Sequence, residues 1–189
     1  VGERAESWDL LMGYLPVIDE TGHQLLLEDP RQVGWTPERE REFAAARARV
    51  WRGVDGQIAR LLDALDLEST TVLLVSDHGM APVHSVVDVN RALVRAGWQD
   101  QDRGSVEPAP SSRAAGTCGG GLAHVYLNLV GRDPQGTVPR EQASAAVEEL
   151  RRYFLAMEFG GERVLRDAFS RAQARSLGLG HPNSGDLVL

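Results

Sequence analysis

Residues 70–80 read Thr-Thr-Val-Leu-Leu-Val-Ser-Asp-His-Gly-Met. The first six form a continuous β-branched and apolar run, which is typical of a strand covered on both faces inside a parallel sheet. Open α/β sheets bind their ligands at the carboxyl ends of such strands. Because Asp77 and His78 come directly after this run, the sequence predicts that both side chains lie at a ligand-binding edge.

The segments before this run favour an α/β fold. Residues 10–18 are mostly apolar, and we interpret them as a buried strand with Pro16 near its end. Thr36 followed by Pro37 is a good helix start, and apolar residues then recur at helical spacing, which predicts a helix over 37–65. A strand, a helix and a strand in this order predict a βαβ unit.

A second pair of polar residues follows the first apolar segment. Asp19 and His23 are four residues apart, so a single helical turn or a tight loop puts both on one face, and Gly22 lets the backbone approach a bound group. Both Asp/His pairs follow predicted strands and can therefore project into one crevice. Carboxylate and imidazole ligands suit zinc or manganese, and two such ions about 3.5–4 Å apart stabilise both oxygens of a phosphoryl displacement.

Composition excludes several functional classes. The chain has 189 residues, 42% of them hydrophobic and 25% charged, as in an ordinary globular protein. Its net charge of −7 argues against a general nucleic-acid groove. All 20 basic residues are arginine, which excludes a Schiff-base or P-loop lysine. No apolar run approaches the roughly 20 residues of a transmembrane helix. Cys118 is the single cysteine, so a metal must be held by histidines and carboxylates.

The second half of the chain has a different pattern. It predicts a short capped helix over 88–97, a loop or mobile flap over 99–121, a strand over 123–130 and a helix from 139 to about 157. A strand over 164–169, a short helix up to Gly178 and a strand at 186–189 follow. We expect residues 1–84 and 181–189 to form a partial α/β metal-binding core, with residues 85–180 as an inserted α+β lobe.

Three stretches carry a family resemblance: residues 14–23 (Tyr-Leu-Pro-Val-Ile-Asp-Glu-Thr-Gly-His), residues 75–80 (Val-Ser-Asp-His-Gly-Met) and residues 123–138. They resemble the type I phosphodiesterase/nucleotide pyrophosphatase family of the alkaline phosphatase superfamily. The resemblance implies an α/β fold with a mostly parallel, alkaline-phosphatase-like sheet core and an inserted α+β lobe. It also implies metal-dependent hydrolysis of phosphodiester or nucleotide pyrophosphate bonds in a small phosphate-ester or nucleotide substrate.

The resemblance assigns the metal ligands. Asp19 and His23 would bind one divalent ion, and Asp77 and His78 the other, with zinc or manganese as the metal. The family also has a threonine or serine nucleophile, a further metal-binding aspartate upstream of the first pair and a histidine near the C-terminus. The surroundings of Asp9 do not match that aspartate. We therefore expect the nucleophile upstream of Val1, and a chain that is inactive by itself and binds zinc weakly.

Several alternatives stay open. Asp-x-x-x-His arises often by chance, and Ser-Asp-His-Gly can form an ordinary turn, so a non-catalytic α/β binding module remains an alternative. Phosphomutase and sulfatase chemistry occur in the same superfamily. His181 is a weak candidate for the missing histidine, and His124 could face either the sheet core or the cavity. We interpret Arg132 as stabilising a turn rather than binding phosphate. Substrate identity, oligomeric state and compartment are not encoded in these features.

Overall fold

The computed structural model describes residues 8–100 and 107–189. The chain forms two compact units, Val1–Val86 and Val87–Leu189. The sequence-derived division into 1–84 with 181–189 and 85–180 stays a prediction.

Two helices form the framework of the first unit. Helix α1 (Val17–Leu25) begins directly after Pro16, whose φ of −69° already suits a helix. Helix α2 (Pro37–Leu62) packs against α1 and starts as predicted, because the Thr36 side chain accepts a hydrogen bond from the Arg39 backbone N–H. The predicted long helix is therefore confirmed.

The two strands predicted in this unit are not formed. Residues 8–15 are irregular and lead into α1, so Pro16 begins a helix instead of ending a strand. Residues 70–75 are also irregular, and Leu73 and Val75 are 82% and 84% exposed. A strand requires a neighbour that accepts and donates its backbone hydrogen bonds, and no described segment pairs with either stretch.

The second unit contains a four-stranded antiparallel sheet with the order β1-β2-β6-β5 and a separate two-stranded hairpin, β3-β4. The strands are β1 (Ala114–Gly119), β2 (Leu122–Leu127), β3 (Glu158–Phe159), β4 (Glu162–Arg163), β5 (Phe169–Ser170) and β6 (Leu187–Val188). The final strand therefore pairs with β2 and β5 inside this unit. The predicted loop over 99–121 is wrong where β1 forms, and its residues 101–106 lie outside the described residues.

Helices cover this sheet and close its core. They are α3 (Val89–Arg95), α4 (Ala143–Leu155) and α5 (Arg171–Ala174), with 3₁₀ turns at Arg140–Gln142 and Arg175–Leu177. The Asp88 side chain caps α3, so the helix predicted over 88–97 is confirmed. Leu93, Leu150 and Phe154 are fully buried against Val125 and Leu187 of the sheet. Helices predicted over 139–157 and up to Gly178 are present with shorter bounds.

The chain thus combines helices with antiparallel sheet. All pairings between named strands in the described residues are antiparallel, so the mostly parallel core predicted from the sequence is not found there. No helix in the described ranges has the length and apolarity needed to cross a membrane.

Candidate metal centre

Asp19 and His23 lie on the same face of α1. Their i,i+4 spacing brings Asp19 Oδ1 to 3.6 Å from His23 Nε2. The sequence analysis expected a helical turn or a tight loop here, and the structure has a helix. Both side chains remain accessible, since 39% of the Asp19 side chain and 69% of the His23 side chain are exposed.

Asp77 and His78 belong to the irregular segment that follows residues 70–75. His78 Nε2 lies 3.8 Å from Asp19 Oδ1 and 3.8 Å from Asp77 Oδ2. The structure therefore brings all four predicted residues into one cluster in the first unit. We call it the Asp19 cluster. A helix and an irregular segment assemble it, whereas the sequence analysis expected the ends of two strands.

A close approach at Gly22 helps to assemble the Asp19 cluster. A Cβ atom at this position of α1 would lie 2.4 Å from Met80 Sδ, far inside contact distance. Glycine therefore lets the Met80 side chain lie against the helix, two residues after His78 along the chain. The sequence analysis expected Gly22 to allow the backbone close to a bound group, and in the structure its neighbour is Met80.

One oxygen in this cluster has unused hydrogen-bonding capacity. Asp19 Oδ1 is buried and has no hydrogen-bond partner. An ionised oxygen that has lost water without gaining a partner is costly. A cation bound between Asp19 Oδ1 and His23 Nε2 would offset this cost.

The ring of His78 is oriented as in a metal ligand. Its Nδ1 lies 3.0 Å from the Gly79 carbonyl oxygen. A carbonyl only accepts, so Nδ1 carries the hydrogen, and in the neutral ring Nε2 presents its lone pair toward Asp19. Metal-bound histidines commonly donate their other N–H to a carbonyl in this way. The bond to Gly79, with the charges of Asp77 and Asp19, raises the pKa of His78 above its ordinary value.

The distances between the candidate ligand atoms are slightly longer than those between the ligands of a closed metal site. Two ligands of a tetrahedral zinc ion lie about 3.3–3.6 Å apart, against 3.6–3.8 Å for the nitrogen–oxygen pairs here. Within residues 8–100 and 107–189, no group of three or more His, Cys, Asp or Glu side chains is already arranged to enclose an ion. The donor types and the unpartnered Asp19 oxygen fit a divalent cation, provided that the side chains close by a few tenths of an ångström.

The other histidines have hydrogen-bonding contacts of their own. In the second unit, His124 Nδ1 accepts a hydrogen bond from the Gly185 N–H, and His181 Nδ1 accepts one from the Asn183 N–H. In the first unit, His84 Nδ1 contacts Ser85 Oγ. Asp9 is exposed in an irregular segment. The Gly79 carbonyl that orients His78 was missed by sequence reasoning, since backbone geometry alone determines it.

Comparisons with known proteins give one finding. The model of the family described as "Type I phosphodiesterase / nucleotide pyrophosphatase" matches residues 2–189. Neither the curated proteins nor the solved structures contain a match to this chain.

Proposed function

Because the chain belongs to the type I phosphodiesterase/nucleotide pyrophosphatase family, we propose that it takes part in metal-dependent hydrolysis of phosphodiester or pyrophosphate bonds through the Asp19 cluster. Family membership supports hydrolase activity of this kind on small phosphate esters. The metal dependence and the assignment of ligands are our proposal. The observation that carries it is the buried, unpartnered Asp19 Oδ1 facing the Nε2 atoms of His23 and His78.

In this proposal Asp19 and His23 hold one divalent ion, and Asp77 and His78 hold the second. Zinc or manganese fits the donor set. When bound, such ions neutralise charge that develops on phosphate oxygens and lower the pKa of a coordinated hydroxyl. The Gly79 carbonyl keeps His78 in the tautomer whose Nε2 is free to coordinate.

The attacking hydroxyl is proposed to come from outside residues 1–189. Ser76, the hydroxyl residue next to Asp77, donates its hydrogen to the His78 carbonyl at 2.6 Å. A carbonyl cannot take up this proton as a general base, so the contact does not activate Ser76 for attack. The role of the cluster is to bind and orient the phosphate.

Calorimetric titration with zinc tests the ligand assignment. We expect the chain to bind zinc weakly, and Asp19→Asn or Asp77→Asn to weaken binding by about tenfold or more, because each variant removes an anionic ligand. Asp55→Asn is the matched control, because Asp55 is an exposed carboxylate of α2 in the same unit. Unchanged zinc affinity in both Asp19→Asn and Asp77→Asn would refute the assignment.

An activity assay tests where the nucleophile lies. With added zinc, the 189-residue chain should not hydrolyse a nitrophenyl phosphodiester, phosphate monoester or sulfate ester. Robust turnover of the diester would place the nucleophile inside this chain. Turnover confined to the sulfate ester would favour the sulfatase alternative.

A further inference from the structure

In the second unit, the segment that leads into β6 lies against one face of β2. Side chains of a strand alternate between the two faces of a sheet, and Val125 of β2 packs into the core with the helices. His124 and Tyr126 are therefore on the opposite face. Both form hydrogen bonds to the chain between residues 181 and 185, which we call the 181–185 segment.

Two side chains of β2 hold this segment by its backbone. The Gly185 N–H donates to His124 Nδ1 at 3.0 Å. The Tyr126 hydroxyl donates to the Asn183 carbonyl at 3.0 Å. Gly185 is buried, and a Cβ atom there would lie 2.8 Å from the Val125 N and O atoms, so the segment lies directly against the strand. The buried Gly185 N–H therefore depends on His124 for its acceptor.

A second histidine makes the same kind of bond inside the segment. His181 Nδ1 accepts from the Asn183 N–H at 3.1 Å. A ring nitrogen accepts a hydrogen bond only when it carries no proton, so both bonds require neutral imidazole rings. His181 is exposed, so water can replace its bond. His124 is half-buried and its donor is buried, so its bond is the one that the fold cannot replace with water.

The surroundings of His124 hold no carboxylate that is free to pair with a charged ring. The titratable and charged groups around it are Cys118 of β1, Tyr126 of β2, Arg171 of α5, and His181 and Asp186 from the loop before β6. From β6 itself, the apolar Val188 lies opposite His124. Asp186 is the one carboxylate in this set, and it already forms ion pairs with Arg132 and Arg171.

We propose that His124 is a proton-sensitive switch for the 181–185 segment. With a neutral ring, Nδ1 accepts the Gly185 N–H and holds the segment on β2. Protonation places a hydrogen on Nδ1, so that two donors face each other and the buried amide loses its partner. The segment then opens, while β6 stays paired with β2 and β5 through its own ladder.

The direction of the switch follows from the chemistry of imidazole. An ordinary histidine takes up its proton near about pH 6.5. The segment is therefore closed at neutral pH and opens in mild acid. The proposal concerns the second unit alone, so it does not depend on the metal site or on the proposed function.

Hydrogen exchange of the Gly185 amide, measured by NMR, tests the switch. In the wild-type chain its protection, corrected for the intrinsic exchange rate, should fall about fivefold or more between about pH 7.5 and about pH 5.5. In His124→Asn the side-chain oxygen accepts at both pH values and cannot be protonated, so protection should stay constant. His84→Asn, at an exposed histidine of the first unit, is the matched control and should keep the wild-type pH dependence.

Tyr126→Phe separates the switch from a general weakening of the segment. It removes a bond whose acceptor does not titrate, so it should lower protection by the same factor at both pH values. Constant protection in the wild-type chain, or equal pH dependence in His124→Asn and wild type, would overturn the proposal.

The wild-type chain decides by itself if circular dichroism shows that His124→Asn does not fold. Its Gly185 N–H resonance and the His124 ring resonances should then shift with one common midpoint. A Gly185 resonance that does not follow the His124 titration would overturn the switch.

Discussion

At the scale of single residues, Asp186 of the second unit accepts hydrogen bonds from three other residues. Its Oδ1 accepts from Arg132 Nη1 at 2.8 Å and from Arg171 Nη2 at 2.9 Å. Its Oδ2 accepts from Arg132 Nη2 at 2.9 Å and from the Leu127 N–H at 2.8 Å. Asp186 thereby raises the pKa of Arg132. Arg132 contacts Asp133 within the turn that we expected it to stabilise, and its bonds to Asp186 reach a segment 54 residues away.

We expect Asp186→Asn to lower the free energy of unfolding by about 2 kcal/mol, because it weakens charge-assisted hydrogen bonds that are only slightly exposed. Urea unfolding followed by circular dichroism measures the change. Asp167→Asn, at an exposed carboxylate of the same unit, should change the free energy by less than about 0.5 kcal/mol. Equal stability of the two variants would contradict a structural role for Asp186.

At the scale of elements, the packing of α3 on the edge strand β1 depends on Gly116. Asn90 Oδ1 accepts from the Gly116 N–H at 2.7 Å, and Asn90 Nδ2 donates to the Gly116 carbonyl at 3.0 Å. A side-chain amide thus satisfies the backbone groups that an edge strand otherwise leaves unpaired. A Cβ atom on Gly116 would lie 2.5 Å from Val89 Cγ1.

Gly116→Ala should therefore destabilise the chain by about 1–3 kcal/mol through overpacking between α3 and β1. Gly119→Ala, in the same strand, is the matched control, because a Cβ atom there meets no atom within 4 Å. Thermal unfolding of both variants compares them directly. A similar loss of stability in the two would contradict the role of the contact with Val89, because the entropy change in the unfolded chain on replacing glycine by alanine stabilises the fold by itself.

How much of the fold could be predicted differs between helices and strands. Helices carry their own start signals, such as Thr36 with Pro37 and the capping Asp88, so local sequence was sufficient. Strands depend on partners far away in sequence. Residues 70–75 have strand composition without a partner, whereas β1 (Ala-Ala-Gly-Thr-Cys-Gly) lacks a strand pattern but pairs with β2 along its length.

The candidate site shows the same difference between features set by local sequence and features set by distant contacts. The four-residue spacing of Asp19 and His23 predicted a shared face because helical geometry is local. The order of the motifs suggested that His78 approaches Asp19. The two side chains come together only through the fold of the first unit. The unpartnered oxygen of Asp19 depends on every surrounding side chain, so sequence alone gives no signal for it.

At the scale of the whole molecule, the two units differ in how much apolar surface each buries. In the described part of Val1–Val86, the buried hydrophobic residues are Leu27 and Val54, while Val87–Leu189 contains a contiguous core around Leu150 and Phe154. Burial of apolar area is the main favourable term in folding. Protection against local opening should therefore be concentrated in the second unit.

Hydrogen exchange followed by mass spectrometry tests this difference. The backbone N–H groups of residues 70–75 form no hydrogen bonds with other described residues, so they should exchange within seconds in the native chain. Amides of β2 and α4 are hydrogen-bonded around the core and should exchange orders of magnitude more slowly, which gives an internal control in the same sample. Slow exchange at residues 70–75 would contradict the irregular conformation. It would indicate that this apolar run is hydrogen-bonded in solution as the strand its composition predicts, because only a paired backbone protects amides that are otherwise open to water.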